Sequence, residues 1–450
     1  MLISAPLSFG EGLGVRKMKE LLSNIKGDKG IWSFVALLSL FSFMPVFSAS
    51  SNLAYMNHGT GSTIGYLLTH LAQIFTGFII IYWFHKIPYH YYRGLSRFGL
   101  LIVWGLLVLT LIKGTVVAGA NASRWIRLPF IGITFQTSTL ASIVLMIFVA
   151  RYLSKKREVE IDFKSSIIDL WLPVFITLIL ILPANLSTAA LIFAMVLMQT
   201  FIGRYPLKYI GFILGMGVVF LTLFIVLAKS FPKAFPNRVD TWISRIDSFT
   251  NNKKGEDDYQ IEKAKIAIAS GGIYGLGPGK SVQKHFLPQS SSDFIYAIIV
   301  EENGLIGGLL VMGLYLLLFF RFIVAAHKTK SMYGKLLVVG LGFPMIFQAM
   351  INMAVAVELF PVTGQTLPLV SSGGSSIWMT CIALGIIINV TKKDEEILIE
   401  TKEKDKRDVV LKKMIDEQIA KEEAFDNEDY SINDKSENPM TAIEGIRQNN

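Results

Sequence analysis

The chain has little charge and almost no cysteine. Of its 450 residues, 17% are charged and 52% are hydrophobic. A soluble protein of this length carries more charge. The one cysteine, Cys381, lies in an apolar run, which excludes an internal disulfide and a cysteine metal site. The first apolar run, 31–49, lacks a clear small-residue cleavage site, so we interpret it as a retained membrane span rather than a signal peptide.

Apolar runs of membrane-spanning length recur along the chain. They predict an all-α, polytopic membrane helix bundle, at about 20 residues per span. We expect ten transmembrane helices, at 31–49, 64–84, 98–118, 130–150, 166–182, 187–202, 207–227, 292–320, 334–357 and 376–391.

The basic residues alternate between the predicted loops. No Lys or Arg occurs in 50–63, 183–186 or 358–375. Lys and Arg concentrate instead in 85–97, 151–165, 203–206 and 321–333. Cytoplasmic loops of membrane proteins carry such an excess, so we expect both termini in the cytoplasm. The net charge of +9 is explained in the same way, and no nucleic-acid partner is expected.

Composition divides the chain into segments. We expect a cytoplasmic N-terminal segment at 1–30, a membrane domain at 31–391 and an acidic cytoplasmic tail at 392–450, helical at 402–423 and disordered beyond. One long loop, 228–291, is predicted to lie outside the cell, and such a loop is usually functional or disordered. Within it, 260–269 reads as a short amphipathic helix on the membrane surface.

Asp293 is the most unusual ionisable residue. It ends a polar, glycine-rich stretch, 271–292, and directly precedes the apolar run 294–300. Ionisable groups at the edge of a span are costly and usually face a cavity or a partner. The residues alone leave two interpretations open: Asp293 acts as a general base on a lipid-linked substrate, or it caps the eighth helix.

A nucleotide site is excluded by spacing. Gly279-Lys280-Ser281 resembles the end of a phosphate-binding loop, but the glycine required five positions earlier is Tyr274. The predicted topology also places this stretch outside the cell, away from ATP.

Two longer segments carry a family resemblance. YQIEKAKIAIASGGIYGLGPGKSVQKHFLPQSSSDFIYAIIVEENGLIG (259–307) and FPVTGQTLPLVSSGGSS (360–376) resemble the SEDS family of membrane glycosyltransferases. The opening, 27–51, is more similar to the division branch, FtsW, than to the elongation branch, RodA. The resemblance implies ten spans in the bacterial inner membrane, location at the division septum, and polymerisation of lipid II, the lipid-linked disaccharide-pentapeptide of peptidoglycan. It also implies a class B penicillin-binding protein as transpeptidase partner, together with other divisome proteins.

The resemblance assigns the family's essential aspartate to Asp293, within the motif Leu287 to Phe294. The chain departs from the family elsewhere. On the fourth span, a glutamate and a lysine are replaced by Thr139 and Ser142, so we consider Lys113 as a stand-in. The family's P-D-x-G after the fifth span appears as Pro183-Ala184-Asn185-Leu186-Ser187, without the charge, and the tyrosine usual before the glycine pair is Ser372.

The implied reaction requires a base and a group that binds pyrophosphate. Asp293 is the predicted base, and Lys113, Arg124 and Arg245 are candidates for the phosphates, where a divalent cation, Mg²⁺ or Mn²⁺, would share the charge. Further candidate substrate contacts are Gln136, Gln260, Lys284, His285, Glu302, Ser371, Gly373, Gly374 and Ser375.

Two other classes of function compete with this interpretation. A bundle of ten spans with broken helices is typical of transporters, including lipid flippases. Against transport, the charged residues cluster at the outer face rather than at the midplane, and no internal repeat is apparent. The third class is a non-catalytic scaffold that recruits division proteins through its acidic tail.

Overall fold

The computed structural model describes residues 26–56, 63–114, 124–127, 134–156, 161–230, 256–287, 289–392, 402 and 405–420. The chain forms two compact units, Met1–Thr391 and Lys392–Asn450. Arg245 and most of the long loop lie outside the described residues, as does the part of the tail for which disorder is predicted.

In the described part of the first unit, the long regular elements are helices, and the only strands form one small hairpin. In chain order the elements are α1 (Lys29–Phe41), α2 (Phe43–Met56), α3 (Thr63–Phe84), α4 (His90–Lys113), β1 (Trp125–Arg127), β2 (Thr134–Gln136), α5 (Thr137–Lys155), α6 (Phe163–Ile181, with a π-helical turn at Ile167–Trp171), α7 (Leu186–Ile202), α8 (Leu207–Ser230), α9 (Glu256–Gly271), α10 (Ile295–Lys328), α11 (Met332–Ala356) and α12 (Ser375–Val390).

The predicted polytopic helical bundle is confirmed. Seven helical stretches are long and apolar enough to cross a membrane, with α1 and α2 together forming the first. Three shorter apolar helices, α7, the first part of α8 and α12, occupy the remaining predicted positions. Helix α11 lies at the centre, because it packs against α5, α7, α10 and α12.

The predicted starts of two spans are wrong. The fourth span begins at Thr137 rather than at 130, because 134–136 pair with Trp125–Arg127 as an antiparallel hairpin. The third span begins at His90 rather than at 98. A hydropathy window misses this first part of α4 because it mixes tyrosines with basic side chains, a composition typical of the membrane interface.

Helix α10 is broken at Gly304, which has φ 68° and ψ −173°. The chain that follows α9 passes through this break. Leu276 N donates to Glu301 O (2.9 Å), and Leu305 N donates to Gly272 O (2.9 Å), so backbone groups freed by the break are satisfied. Only glycine fits there, since a Cβ on Gly304 would lie 2.2 Å from the oxygen of Ile273.

Helix α9 covers the stretch 260–269, for which an amphipathic helix is predicted. It runs from Glu256 to Gly271 and packs against α10 and α11. Its buried residues, Ile261, Ala264 and Ala267, recur at every third position and form one apolar face. The sequence periodicity was therefore informative, but the apolar face contacts protein.

In the second unit, residues 405–420 form a helix whose side chains are all exposed. Its charges are mixed in sign, as expected for a solvated helix.

Candidate active site

A cavity of about 370 Å³ lies among α5, α7, α11 and α12. The hairpin and the segment 360–376 also contribute to its wall. Among the described lining residues, Asp293 is the one acidic side chain and Arg124 is the one positively charged side chain. The other polar residues of the lining are Thr134, Gln136, Ser138, Thr139, Ser142, Thr188, Gln289, Ser292, Gln348, Gln365, Thr366, Ser372, Ser375, Ser376 and Thr380.

Asp293 lies at the wall of this cavity rather than at the cap of α10. The helix begins at Ile295, and Phe294 occupies the N-cap position. Asp293 therefore precedes the cap by one residue, and it is half-buried. This geometry favours the first of the two interpretations, in which the carboxylate faces a substrate.

Gly364 lies between the two charged groups. A Cβ built on Gly364 would be 3.4 Å from Asp293 Oδ2 and 3.5 Å from Arg124 Nη1. The φ of Gly364 is +64°, a conformation that other residues adopt at a cost. A glycine here lets the backbone of 360–376 approach both side chains, which are far apart in the sequence.

Asn352 fixes the backbone at Asp293. Its side chain is 1% exposed, and its Nδ2 donates to Asp293 O and to Gln365 O, both at 2.7 Å. Asn352, which lies on α11, therefore holds the backbone of both Asp293 and Gln365 against this helix. Sequence analysis missed this residue, although an asparagine within an apolar run (Met350 to Val357) is a recognisable signal.

The segments 287–294 and 360–376 are also joined directly. Ser371 Oγ donates to Ser292 O (2.6 Å) and accepts from Leu367 N (2.7 Å), while Ser372 N donates to Ser291 O (2.9 Å). Ser371, predicted as a substrate contact, is buried and lies outside the lining, so it positions backbone instead. Gly373, Gly374 and Ser375 do line the cavity.

The start of α5 forms another wall. Gln136, Thr139 and Ser142 all line the cavity. Gln136 Nε2 donates to Ser138 Oγ (3.1 Å), and Thr139 Oγ1 donates to Gln136 O (2.7 Å). The positions at which the resemblance implies Glu and Lys thus face the cavity with uncharged side chains.

Lys113 does not replace the missing lysine. It is the last residue of α4, it is exposed, and it does not line the cavity. The nearby cation is Arg124, whose Nε donates to Ala184 O (3.1 Å) at the turn before α7. In that turn, Asn185 caps α7 by accepting from Thr188 N (3.1 Å), which is a structural role.

Two predicted contacts belong to a separate buried cluster. Glu302 is 1% exposed, and its Oε1 accepts from Ser48 Oγ and from Ser281 N (3.2 Å). Lys284 is buried and donates through Nζ to Gly279 O (2.8 Å) and Ser48 Oγ (3.3 Å). Neither side chain lines the cavity; they hold the loop before Asp293 against α2.

Glu301 acts in the same cluster. Its Oε1 accepts from Val282 N (3.0 Å) and Gln283 N (3.2 Å), and its Oε2 accepts from Ser281 Oγ. The remaining candidates are apart from the cavity: Gln260 is half-buried on α9, and His285 is exposed in a 3₁₀ turn.

The described residues contain no group of three or more His, Cys, Asp or Glu that could hold a metal ion. A pre-formed protein cage for a cation is therefore not present in this part of the chain. A cation in the cavity would depend on Asp293 and on oxygen atoms of the substrate.

Comparison with known proteins identifies the family. Residues 28–396 match the family of FtsW, RodA and SpoVE, described as cell cycle proteins. This match covers most of the 450 residues. The chain belongs to this family.

Several family members are similar over nearly their whole length. A probable peptidoglycan glycosyltransferase FtsW of Geobacter sp. (strain M18) is 31% identical over 81% of this chain and 97% of its own. A protein with the same name from Coxiella burnetii is 28% identical over 83% and 99%. Stage V sporulation protein E of Bacillus subtilis is 31% identical over 70% and 84%.

Solved structures share the fold. The rod shape determining protein RodA of Thermus thermophilus matches with a TM-score of 0.57 at 22% identity, over 81% of this chain and 96% of its own. A chain from a peptidoglycan synthase complex, described as coordinating polymerization and crosslinking, matches with a TM-score of 0.61 at 22% identity, over 81% and 97%. The family fold is thus present in this chain.

Proposed function

We propose that this family member is a peptidoglycan glycosyltransferase that polymerises lipid II into glycan strands during cell division, with Asp293 as general base. The observation that carries the proposal is the cavity, whose described wall contains one carboxylate, Asp293, and one guanidinium, Arg124. Relatives of this chain that are similar over most of their length are named probable peptidoglycan glycosyltransferases. Relatives named FtsW favour the division branch over the elongation branch.

The reaction forms one glycosidic bond. The 4-hydroxyl of the acceptor sugar attacks the anomeric carbon of the donor, the bond from that carbon to the lipid pyrophosphate breaks, and the pyrophosphate leaves on its lipid. Asp293 takes the proton of the attacking hydroxyl. A positioned base accelerates such a step by about 10²–10⁴-fold.

Arg124 is proposed to bind the pyrophosphate. A guanidinium presents paired N–H donors that match phosphate oxygens. Its Nε donates to Ala184 O, and this hydrogen bond fixes the orientation of the guanidinium group. Nη1 lies near Gly364 and the Asp293 carboxylate. Base and phosphate binder therefore share one end of the cavity.

A divalent cation would add to the charge available for the leaving group. Mg²⁺ prefers oxygen ligands and often combines one or two carboxylates with substrate phosphates. Asp293 is the carboxylate of the described lining that can contribute such a ligand.

The remaining features are proposed from family likeness. The partner is a class B penicillin-binding protein, supported by the structural neighbour from a peptidoglycan synthase complex. We place the protein in the inner membrane at the division septum. Both termini are then in the cytoplasm, and other divisome proteins are partners. A fluorescent fusion at midcell rather than along the sidewall would support the division role.

The decisive experiment measures glycan polymer formed from purified lipid II in detergent. We expect Asp293→Asn to abolish polymerisation with and without the partner, because asparagine keeps the shape but accepts no proton. The matched control is Asp162→Asn. Asp162 caps α6 by accepting from Ser165 N (3.0 Å), a role that asparagine also fulfils.

The outcomes separate three functions. Transport has no meaning in detergent, so polymer formed by the wild type excludes a pure transporter. Normal polymerisation by Asp293→Asn would refute the role of this carboxylate. Polymerisation by neither protein, while deletion of the acidic tail abolishes division in cells, would favour a scaffold.

A further inference from the structure

Three glutamine side chains line the cavity from different elements of the fold. Gln136 directly precedes α5, Gln348 lies on α11, and Gln365 belongs to the segment 360–376. The amide of a glutamine carries hydrogen-bond donors on Nε2 and an acceptor on Oε1. We refer to these three residues as the glutamine set.

Each amide nitrogen of the glutamine set donates to a protein oxygen. The acceptors are Ser138 Oγ for Gln136 (3.1 Å), Thr366 O for Gln348 (2.9 Å) and Thr188 Oγ1 for Gln365 (2.8 Å). Nitrogen and oxygen are held in one plane on the same carbon atom of an amide. The hydrogen bonds of the nitrogens therefore fix the directions of the three oxygens as well.

The Oε1 atoms of the glutamine set are accessible acceptors. None of the three has a hydrogen-bond partner among the described residues, and none is enclosed by protein atoms. Gln289, a fourth glutamine of the lining, differs because its Oε1 accepts from Ser292 Oγ (2.7 Å). Gln199 differs because it lies outside the lining and its Oε1 is enclosed. The glutamine set thus offers acceptors to a ligand in the cavity.

The cavity wall therefore presents two kinds of binding group. Arg124 is positively charged and donates hydrogen bonds, which suits the oxygens of a pyrophosphate. The glutamine set is uncharged and offers oxygens, which suit O–H and N–H donors instead. In a lipid-linked saccharide, phosphate oxygens accept hydrogen bonds, whereas sugar hydroxyl groups and acetamido N–H groups donate them. The sugar is the part of such a ligand that matches the glutamine set.

The glutamine set lies within reach of the proposed base. Gln348 is four residues before Asn352 on α11, which is about 6 Å along the helix axis. Asn352 holds the backbone of Asp293, while Gln348 holds Thr366 in the segment 360–376. One helical turn is comparable to the width of one sugar ring. A sugar that reacts beside Asp293 can therefore contact Gln348.

We propose that the glutamine set binds the donor sugar, which is the ring attached to the pyrophosphate, by accepting hydrogen bonds from its hydroxyl and acetamido N–H groups. The inference rests on the proposed function, because it assigns part of the same cavity. It adds a determinant of specificity that is separate from the pyrophosphate site. A site built to hydrogen-bond a substrate O–H or N–H group discriminates strongly against an analogue that lacks the group.

Two alternative roles predict different behaviour. In the first, the glutamines only hold the cavity wall through Nε2, and their loss weakens binding of every ligand of the cavity. In the second, their oxygens are ligands of a divalent cation, and their loss has no effect once the cation is removed. A sugar contact differs from both, because it affects only ligands that carry the sugar and needs no cation.

The test compares two lipids that differ in the sugars. Native mass spectrometry of the detergent-purified full-length protein gives dissociation constants for lipid II and for undecaprenyl pyrophosphate, which has no sugar. Every protein carries Asp293→Asn, so that lipid II is not consumed. Gln136→Met, Gln348→Met and Gln365→Met are each expected to weaken binding of lipid II about 3- to 10-fold, as for the loss of a neutral hydrogen bond. Binding of undecaprenyl pyrophosphate should change by less than about twofold.

Gln199→Met is the matched control. Gln199 is 0% exposed, and its Nε2 donates to Met146 O (3.1 Å) and Leu336 O (3.0 Å), so the variant loses comparable internal hydrogen bonds without losing an acceptor of the cavity. Binding of both lipids should stay within about twofold. The same measurements in EDTA should show unchanged losses for the glutamine set. Melting curves verify folding, and three positions give independent results if one variant does not fold.

The outcomes separate this inference from the proposed function. The inference is overturned if the three methionine variants bind lipid II as their parent does, if they lose undecaprenyl pyrophosphate equally, if Gln199→Met loses as much, or if EDTA abolishes the losses. Glycan polymer formed by the Asp293→Asn parent contradicts the proposed base and leaves the sugar contact standing. A parent that binds no lipid II contradicts both.

Discussion

The hydrogen bonds of Asn352 allow a quantitative prediction. Replacement by alanine removes two bonds of 2.7 Å and leaves the carbonyl groups of Asp293 and Gln365 without this donor. An unsatisfied buried carbonyl costs about 1–3 kcal/mol. Since the carbonyl groups are partly shielded and partly accessible, we expect the pair to cost about 2–4 kcal/mol. The loss concerns the backbone that carries the proposed base.

We expect this loss to affect catalysis more than substrate binding. A displacement of about 1 Å at a reacting group reduces the rate by about 10²-fold. Asn352→Ala should therefore lower the kcat of polymerisation from purified lipid II by about 10- to 100-fold, with a smaller effect on KM. Asn352→Asp should be at least as harmful, because a carboxylate cannot donate and adds a negative charge beside Asp293.

Asn389 supplies the matched control. It is 5% exposed, donates through Nδ2 to His85 O (2.6 Å) and accepts at Oδ1 from Tyr89 N (2.9 Å), at the far end of α12 from the cavity. Asn389→Ala should lower the melting temperature by a similar amount and leave kcat within about threefold. Wild-type kcat in Asn352→Ala, or an equal loss of kcat in Asn389→Ala, would refute the argument that Asn352 positions the base.

Three further predictions follow from the same geometry. Gly364→Ala should reduce polymerisation at least about tenfold, because the added methyl group lies between the Asp293 carboxylate and the Arg124 guanidinium. The control is Gly279→Ala, which has a similar φ of +77° and no neighbour within 4 Å, so it measures the effect of backbone strain alone. Lys284→Met should lower the melting temperature and leave the KM for lipid II unchanged, which an assay at several substrate concentrations can verify. Arg124→Lys should raise that KM about tenfold, whereas Arg127→Lys, exposed and outside the lining, should not.

Much of the fold could be predicted because one physical quantity dominates it. Burying about 20 apolar residues in a bilayer outweighs every local preference, so the spans appear in the sequence as long apolar runs. The errors lie where another interaction competes. Residues 134–136 form a strand because their backbone pairs with Trp125–Arg127, and no hydropathy window contains that pairing.

The site was less predictable because polar residues at a membrane boundary have two uses. Asp293 faces the cavity, while Glu302 accepts hydrogen bonds from Ser48 and from the loop before Asp293. In the sequence both are acidic residues beside the same apolar run. Their difference arises from the break at Gly304, which brings the loop onto the carboxylate of Glu302.

The same reasoning explains why the fourth-span departures do not contradict a glycosyltransferase. A cavity that binds pyrophosphate needs positive charge near the leaving group, and that charge need not come from α5. Arg124 is anchored to Ala184 and reaches the point where Gly364 approaches Asp293. Thr139 and Ser142 then keep the wall polar without adding an ion pair, which would cost desolvation in a partly enclosed site. The loss of a glutamate and a lysine together leaves the charge balance of the cavity unchanged, whereas the loss of either one alone would not.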